Sequence, residues 1–249
     1  MPVQDKIIAF TIADKNNSEY AKKMVNSFKK FHPDIKVKVY DDKDIRKYLN
    51  FDRDFFYKAT PFIASKLLEK YDLVLKLDAD QIITGDLSHI FNGGYDIGTV
   101  YNGNPTDLQI YGNITTQGVD FTEYYNCGLV ALTNKKLVNH WLKLCNSKYF
   151  KRFQYREQDL MNIICHFGEY NVKCFDDSDA WHGLRSKGEW LRIKLEDNKL
   201  YLYPNQHGYP ESKKEIKVLH WAAGNVPNKL NYRLYFTEDI IERIDFLIK

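Results

Sequence analysis

No apolar run in the chain is long enough to cross a bilayer, and the start supplies only six residues, Ile7 to Ile12, with no small-residue cleavage site. The expectation is a soluble protein made in the cytoplasm, without a transmembrane segment or signal-peptide core. Cysteine is scarce. The four present, Cys127, Cys145, Cys165 and Cys174, form no Cys-x-x-Cys pair, which argues against a zinc ribbon or a redox dithiol and for reduced, mostly buried thiols. No long basic run occurs either: the net charge is only +3, with Lys and Arg interleaved among acids, so nucleic acid is not the expected partner. Internal repeats, Pro-rich linkers and composition shifts are absent, so the 249 residues read as one domain, 1–249.

Hydrophobic residues at 44% and charged residues at 28% are ordinary for a globular protein. Aromatics are plentiful, with 18 Tyr, 15 Phe and 4 Trp, which suits either packing or stacking against ring ligands. Along the chain, Lys6 to Ile12 reads as a buried strand. Ser18 is placed to cap a helix whose Ala21, Met24, Val25, Phe28 and Phe31 recur at helical spacing up to His32-Pro33. Val37 and Val39 mark a second strand, so the opening is a strand-helix-strand unit and the sheet should be largely parallel. Thr60-Pro61 suggests a helix start, with Ile63, Ala64, Leu67, Leu68 and Tyr71 on one face.

That helix leads to Leu73 to Leu77, an apolar strand running into Asp78-Ala79-Asp80. In extended backbone alternate side chains share a face, so Asp78 and Asp80 would project together with Ala79 turned inward. Two carboxylates at a strand's carboxyl end suit a divalent cation that neutralises a diphosphate, and open α/β sheets bind ligands there. A solvated turn after a strand would show the same residues.

Further on, a short helical piece spans about Leu87 to Phe91 and a strand Ile97 to Val100. The unpatterned stretch Tyr101 to Asp120 reads as a lid or acceptor loop. Leu129 to Leu132 is a strand. Asn134 caps a helix with Leu137, Val138, Trp141, Leu144 and Cys145 inward, and Glu157-Gln158-Asp159 opens another with Leu160, Ile163, Ile164 and Phe167 on its apolar face. Asp176 to Glu189 reads as loop, Ile216 to His220 as a late strand ending in histidine, and a last helix follows Thr237.

Four landmarks stand in order: Leu77-Asp78-Ala79-Asp80, Tyr125-Asn126-Cys127-Gly128-Leu129, Glu157-Gln158-Asp159-Leu160-Met161-Asn162 and His220-Trp221-Ala222-Ala223-Gly224. With Phe10-Thr11-Ile12-Ala13-Asp14 ahead of them, the set resembles the GT-A fold glycosyltransferases of the family 8 type, the group of glycogenin and bacterial lipopolysaccharide galactosyltransferases. The resemblance implies an α/β GT-A architecture: a Rossmann-like, mixed but mostly parallel central sheet with helices on both faces. It implies a nucleotide-binding part of about 1–100 and an acceptor-binding part of about 101–249. It also implies transfer of a hexose from a nucleoside diphosphate sugar, usually a UDP-sugar, to a glycan, glycolipid or protein acceptor, with Mn2+ (Mg2+ being the other candidate) and retention of configuration.

Carried over by position, it implies that Asp78, Asp80 and His220 hold the metal, a mixed oxygen and imidazole set that favours manganese. Thr11, Ala13, Asp14 and Ala79 fall at the nucleotide, and Asn126, Gln158 and Asp159 near the donor sugar and the reacting carbon. Two departures stand out. The spacing His220-x-x-x-Gly224 is longer than the usual His-x-x-Gly, and the lysine that normally follows is replaced by Val226-Pro227-Asn228, leaving Lys229 and Lys66 as candidates for the phosphate charge beside Gly224. Lys76 stands where an aromatic residue is usual; it either reaches the phosphates or snorkels to solvent. If configuration were inverted, Asp159 or Glu157 would serve as general base. Two other functions remain open at this point: a catalytically silent nucleotide- or sugar-binding module, and a sugar nucleotidylyltransferase. The latter is disfavoured, because Ala13 to Asn17 has no glycine for a triphosphate loop.

Overall fold

A computed structural model describes residues 6–47, 55–101, 124–148, 150–153, 155–175, 191–207, 210–221 and 232–249. In chain order the elements are β1 (Ile7–Ile12), α1 (Ser18–Phe31), β2 (Lys36–Tyr40), α2 (Asp42–Arg46), α3 (Phe55–Leu67), β3 (Leu73–Leu77), β4 (Gln81–Ile83), β5 (Ile97–Tyr101) and β6 (Tyr125–Leu132). They continue with α4 (Lys135–Cys145), α5 (Glu157–Phe167), β7 (Val172–Cys174), β8 (Ile193–Glu196), β9 (Lys199–Leu202), β10 (Lys214–Ile216), β11 (Val218–His220) and α6 (Glu238–Ile248). The chain divides into two compact units, each assembled from separated stretches. One takes Met1–Ile12, Lys36–Leu77 and Ile90–Phe175; the other takes Ala13–Ile35, Asp78–His89 and Asp176–Lys249.

The first unit holds a six-stranded sheet in the order β2-β1-β3-β6-β5-β7. β1 pairs parallel with β2 and β3, and β5 parallel with β7, while β6 runs antiparallel to β3 and β5. β3 and β6 are buried along their whole length, as central strands covered on both faces must be, which is why Leu73 to Leu77 reads as a continuous apolar run. α3 packs on β1 and β3, α5 on β6, and α4 lies between α3 and α5. Trp141 of α4, fully buried, donates its indole N–H to the Glu157 carbonyl at 2.9 Å and ties α4 to the start of α5.

In the second unit, α1 and α6 pack against β4. β4 pairs antiparallel with β11, and β8, β9 and β10 form a three-stranded antiparallel sheet. The core here is built by Ile82, Leu200, Leu219, Trp221, Ile240 and Ile244.

Several boundaries differ from the sequence expectations. Ser18 is the first helical residue rather than the cap, because Asp14 takes the backbone and side-chain N–H groups of Asn17 and starts the turn one residue earlier. Thr60-Pro61 lies inside α3. Pro61 can give no bond to the carbonyl four residues back, and burial of Ala59, Thr60, Ile63 and Ala64 offsets that loss. Asp41 caps the short α2, which has too little periodicity to be read from sequence. Ile216 to His220 is two strands in two sheets: at Lys217 the chain leaves β9 for β4, and the Lys217 carbonyl accepts from Thr84 and Gly85 at 2.7 and 3.2 Å. The crossing is tight at Gly85, where a Cβ would sit 3.0 Å from Lys217 Cγ and 3.3 Å from its Cα, so a larger residue would press on Lys217. Phe167 ends α5 at the surface, 62% exposed, instead of in the core. Of the stretches read as loops, Tyr101 instead ends β5, and 102–120 and 176–189 lie outside the described residues.

His32, 6% exposed after α1, accepts a hydrogen bond from the Leu87 N–H at Nε2, 3.0 Å away. That bond needs a neutral ring, and burial lowers the imidazole pKa below its ordinary 6.5 against the pull of Asp86. Because the folded pKa is the lower one, the stabilisation is complete above pH 6.5 and declines as the pH falls below it. Urea unfolding midpoints between pH 7.5 and about 5 should therefore drop, and His32→Gln, an acceptor that does not titrate, should flatten that dependence.

Candidate metal centre

Three ligand-bearing side chains meet in the second unit. His220 Nε2 lies 3.3 Å from Asp78 Oδ2 and 3.5 Å from Asp80 Oδ1, and one donor atom from each of the three lies within 4.8 Å of the others. Two donors at adjacent corners of an octahedron with bonds of about 2.1 Å are about 3 Å apart, so the set fits a small divalent cation. The imidazole is 2% exposed and the carboxylates half-buried, which leaves the acidic side open to a ligand.

Pairing of β4 with β11 makes this meeting happen. His220 ends β11 opposite Gln81, the first residue of β4, and the next backbone N–H, that of Trp221, donates to the Asp80 carbonyl at 3.1 Å. Asp78 follows directly on β3 and Ala79-Asp80 form a turn before β4. As expected, the two carboxylates face one way, toward the same imidazole, while Ala79 stays buried; the turn at Ala79-Asp80 takes the place of a continued strand. Ala79 packs with Ala13 and Ala21, and Asp14 bonds Asn17 beside them, so Ala13, Asp14 and Ala79 share the second unit with the metal set.

A separate polar cluster sits in the first unit. Asp159, fully buried in the first turn of α5, accepts from the Tyr124 hydroxyl at one oxygen and from the Tyr155 N–H, 2.7 Å away, at the other. Burial raises the Asp159 pKa, against the two hydrogen bonds; burial first, then the neighbouring carboxylate, pushes the Tyr124 hydroxyl far above its ordinary value. Gln158 Oε1 accepts from Cys127 N–H at 3.0 Å, and its Nε2 lies 3.4 Å from Tyr124 Oη. Asn162, four residues on, exchanges bonds with both backbone groups of Tyr125 at 2.7 and 2.9 Å. Asn126, Gln158 and Asp159 are thus brought together, joined by Tyr124 and Asn162, whose parts were not read from sequence. For Asn162 the signal was present, since it falls one turn after Gln158.

The other expected binding residues lie elsewhere. Thr11 is fully buried on β1, with no hydrogen-bond partner for its hydroxyl among the described residues. Lys66 is exposed at the end of α3, 3.6 Å from Glu69, a carboxylate that also pairs with Lys135. Gly224 and Lys229 fall outside the described residues. Lys76 does not snorkel to solvent: it is 6% exposed and donates to the Cys127 carbonyl at 2.6 Å.

No family model matches the sequence, and no curated protein does. Solved structures do. Galactosyltransferase LgtC, solved in complex with donor and acceptor sugar analogues, superposes with a TM-score of 0.59 at 17% identity, covering 98% of this chain and 96% of that one. The fold is that of the GT-A glycosyltransferases. The bifunctional glycosyltransferase WbbM gives a TM-score of 0.64 at 16% identity over 98% of this chain, which spans 50% of the WbbM chain. Mouse xyloside xylosyltransferase 1 gives 0.53 at 12% identity over 89%. Within this GT-A chain no described helix is long and apolar enough to cross a membrane.

The centre makes a prediction about protons. Burial pulls the His220 pKa down, but the hydrogen bonds and charges of Asp78 and Asp80 outweigh it and raise the pKa to about 9. Without metal, the ring is an imidazolium at pH 7, so a divalent ion must displace its proton. Calorimetric titration of Mn2+ at pH 7 in two buffers of different ionisation enthalpy should show release of about one proton. Equal heats in both buffers would contradict the shared site. The raised folded pKa also means that the imidazolium's contribution to metal-free stability is complete below pH 6.5 and is lost as the pH climbs through about 9, a slope that His220→Gln should remove.

Proposed function

We propose that this protein is a metal-dependent glycosyltransferase that moves a hexose from a nucleoside diphosphate sugar, a UDP-sugar, to a hydroxyl of a glycan, glycolipid or protein, with retention of configuration. The single observation that carries the reading is the convergence of Asp78, Asp80 and His220 on one point, within a fold shared with LgtC and WbbM. The donor set fits a hard or borderline divalent cation, and two carboxylates with one imidazole favour Mn2+ over Mg2+. When bound, such an ion neutralises the charge that builds on a departing nucleoside diphosphate. Asp78 and Asp80 supply the anionic oxygens, and His220, unable to move from its buried position, sets their spacing.

Gln158 and Asn126 are the groups proposed for the donor sugar. The LgtC structures include an active-site mutant in which a glutamine becomes glutamate, which accords with an amide in such a role. Asp159 takes a different part. With one oxygen accepting from Tyr124 and the other from Tyr155, it is suited to hold Tyr124 and the first turn of α5, not to accept a proton from an incoming hydroxyl. This supports retention, with the leaving phosphate accepting the acceptor's proton.

Thermal shifts with UDP, GDP and other nucleoside diphosphates, each with and without Mn2+, test the reading. A ligand at one hundred times its Kd stabilises by about 2.7 kcal/mol, so one nucleotide should raise Tm in a Mn2+-dependent way. Asp80→Ala should remove that shift and sugar transfer together, with the metal-free protein still unfolding cooperatively at a Tm lowered by the loss of one imidazolium partner. Binding without turnover would instead favour the silent module, and full transfer by Asp80→Ala would overturn the metal assignment.

A further inference from the structure

The pairing of β5 with β6 runs in register from Ile97 opposite Leu132 to Thr99 opposite Val130, then jumps so that Val100 lies opposite Asn126. Leu129 keeps its partner Leu77 on β3, so the shift in register falls at Cys127 and Gly128. Buried backbone groups still need partners. Four side chains from four elements supply them. Thr99 Oγ1 of β5 donates to the Asn126 carbonyl at 2.7 Å, and Lys76 Nζ of β3 donates to the Cys127 carbonyl at 2.6 Å. Gln158 Oε1 of α5 accepts from Cys127 N–H at 3.0 Å, and Asn126 Oδ1 of β6 itself accepts from Gly128 N–H at 2.5 Å.

We propose that Lys76 is a positioning residue for sugar transfer: by holding the Cys127 carbonyl it fixes the Asn126-Cys127-Gly128 arch and, through the Cys127 N–H, the orientation of the Gln158 amide. The inference rests on the glycosyltransferase reading above. Cys127 belongs to two peptide planes. Lys76 holds the plane that carries its carbonyl and Gln158 the plane that carries its N–H, so the two grips together fix its backbone angles. An amide oxygen engaged by a backbone donor also decides which way the group lies, so Gln158 turns its NH2 toward Tyr124 Oη, 3.4 Å away. A sugar meeting Gln158 from that side meets N–H donors, not a carbonyl oxygen. An aliphatic side chain at position 76 would take this donor from the buried Cys127 carbonyl.

Two readouts test this on Lys76→Met and Lys76→Arg, with Lys76→Met/Gln158→Ala as the coupled pair. Amide exchange by NMR does not depend on activity: Lys76→Met should speed exchange at Cys127 and Gly128 by about tenfold or more beyond any global change, and Lys76→Arg should restore much of the protection. Unchanged exchange at these amides overturns the proposal. In transfer assays Lys76→Met should lower kcat by about tenfold with donor KM little changed, and the double variant should be no slower than Gln158→Ala alone. Independent, multiplying losses would overturn action through Gln158, since a merely structural lysine gives that result. If Lys76→Met does not fold, Thr99→Val loosens the other end of the arch and the same exchange readout decides. Should the parent protein transfer no sugar at all, the proposed function falls, and exchange alone decides whether Lys76 positions the arch.

Discussion

Everything at the candidate metal centre depends on the register between β4 and β11. His220 faces the acids because Val218, Leu219 and His220 pair with Ile83, Ile82 and Gln81 in that order. In a strand, a slip of one residue turns every side chain to the opposite face, so it would put Leu219 at the carboxylates and the imidazole in the apolar core. Several features oppose such a slip. The Lys217 carbonyl anchors one end through Thr84 and Gly85, the Asp80 carbonyl anchors the other through Trp221, and Leu219 and Trp221 are locked among Ile82, Ile240 and Ile244. The C-terminal helix thus serves the centre without touching a ligand, by packing the strand that carries one.

The first unit meets a different constraint. Its central strands shift register at Cys127 and Gly128, and two of the polar side chains gathered there, Asn126 and Gln158, are ones the sequence resemblance places near the donor sugar. The side chains proposed to meet a substrate, Asn126 and Gln158, also bond the backbone of this bulge. Asp159 shows the trade: a carboxylate in the first turn of a helix is ordinary, but one wholly buried between a tyrosine hydroxyl and a backbone N–H has been committed to holding its neighbours.

Much of this was legible in the sequence because it was written in strong periodicity or in short polar signatures. β1, β3 and β6 are apolar runs, α4 has both its Asn134 cap and its inward face, and Asp78, Asp80 and His220 end apolar segments. What was not legible depends on distant partners. Nothing near Lys76 indicates that its ammonium would find a carbonyl on another strand. Nothing near Ile216 indicates that the chain changes sheets one residue later, because Lys217 does so through backbone groups rather than side chains. The convergence of Asp78 and Asp80 was expected from strand alternation, but the strand itself ends at Leu77 and a turn at Ala79-Asp80 follows, a boundary that the apolar run alone does not mark.

The interleaving of the two units bears on the order in which the chain leaves the ribosome. The second unit draws on Ala13–Ile35, Asp78–His89 and Asp176–Lys249, so Asp78 and Asp80 emerge long before the histidine that completes their cluster. At about 5–20 residues per second that interval is on the order of ten seconds. Throughout it α1 and β4 have neither β11 nor α6 to cover them, and the acidic pair has no imidazole to share. Folding of this unit is therefore a late event in synthesis, and a nascent chain released between those points would expose the apolar faces of Ile82 and Ile83 to any waiting chaperone.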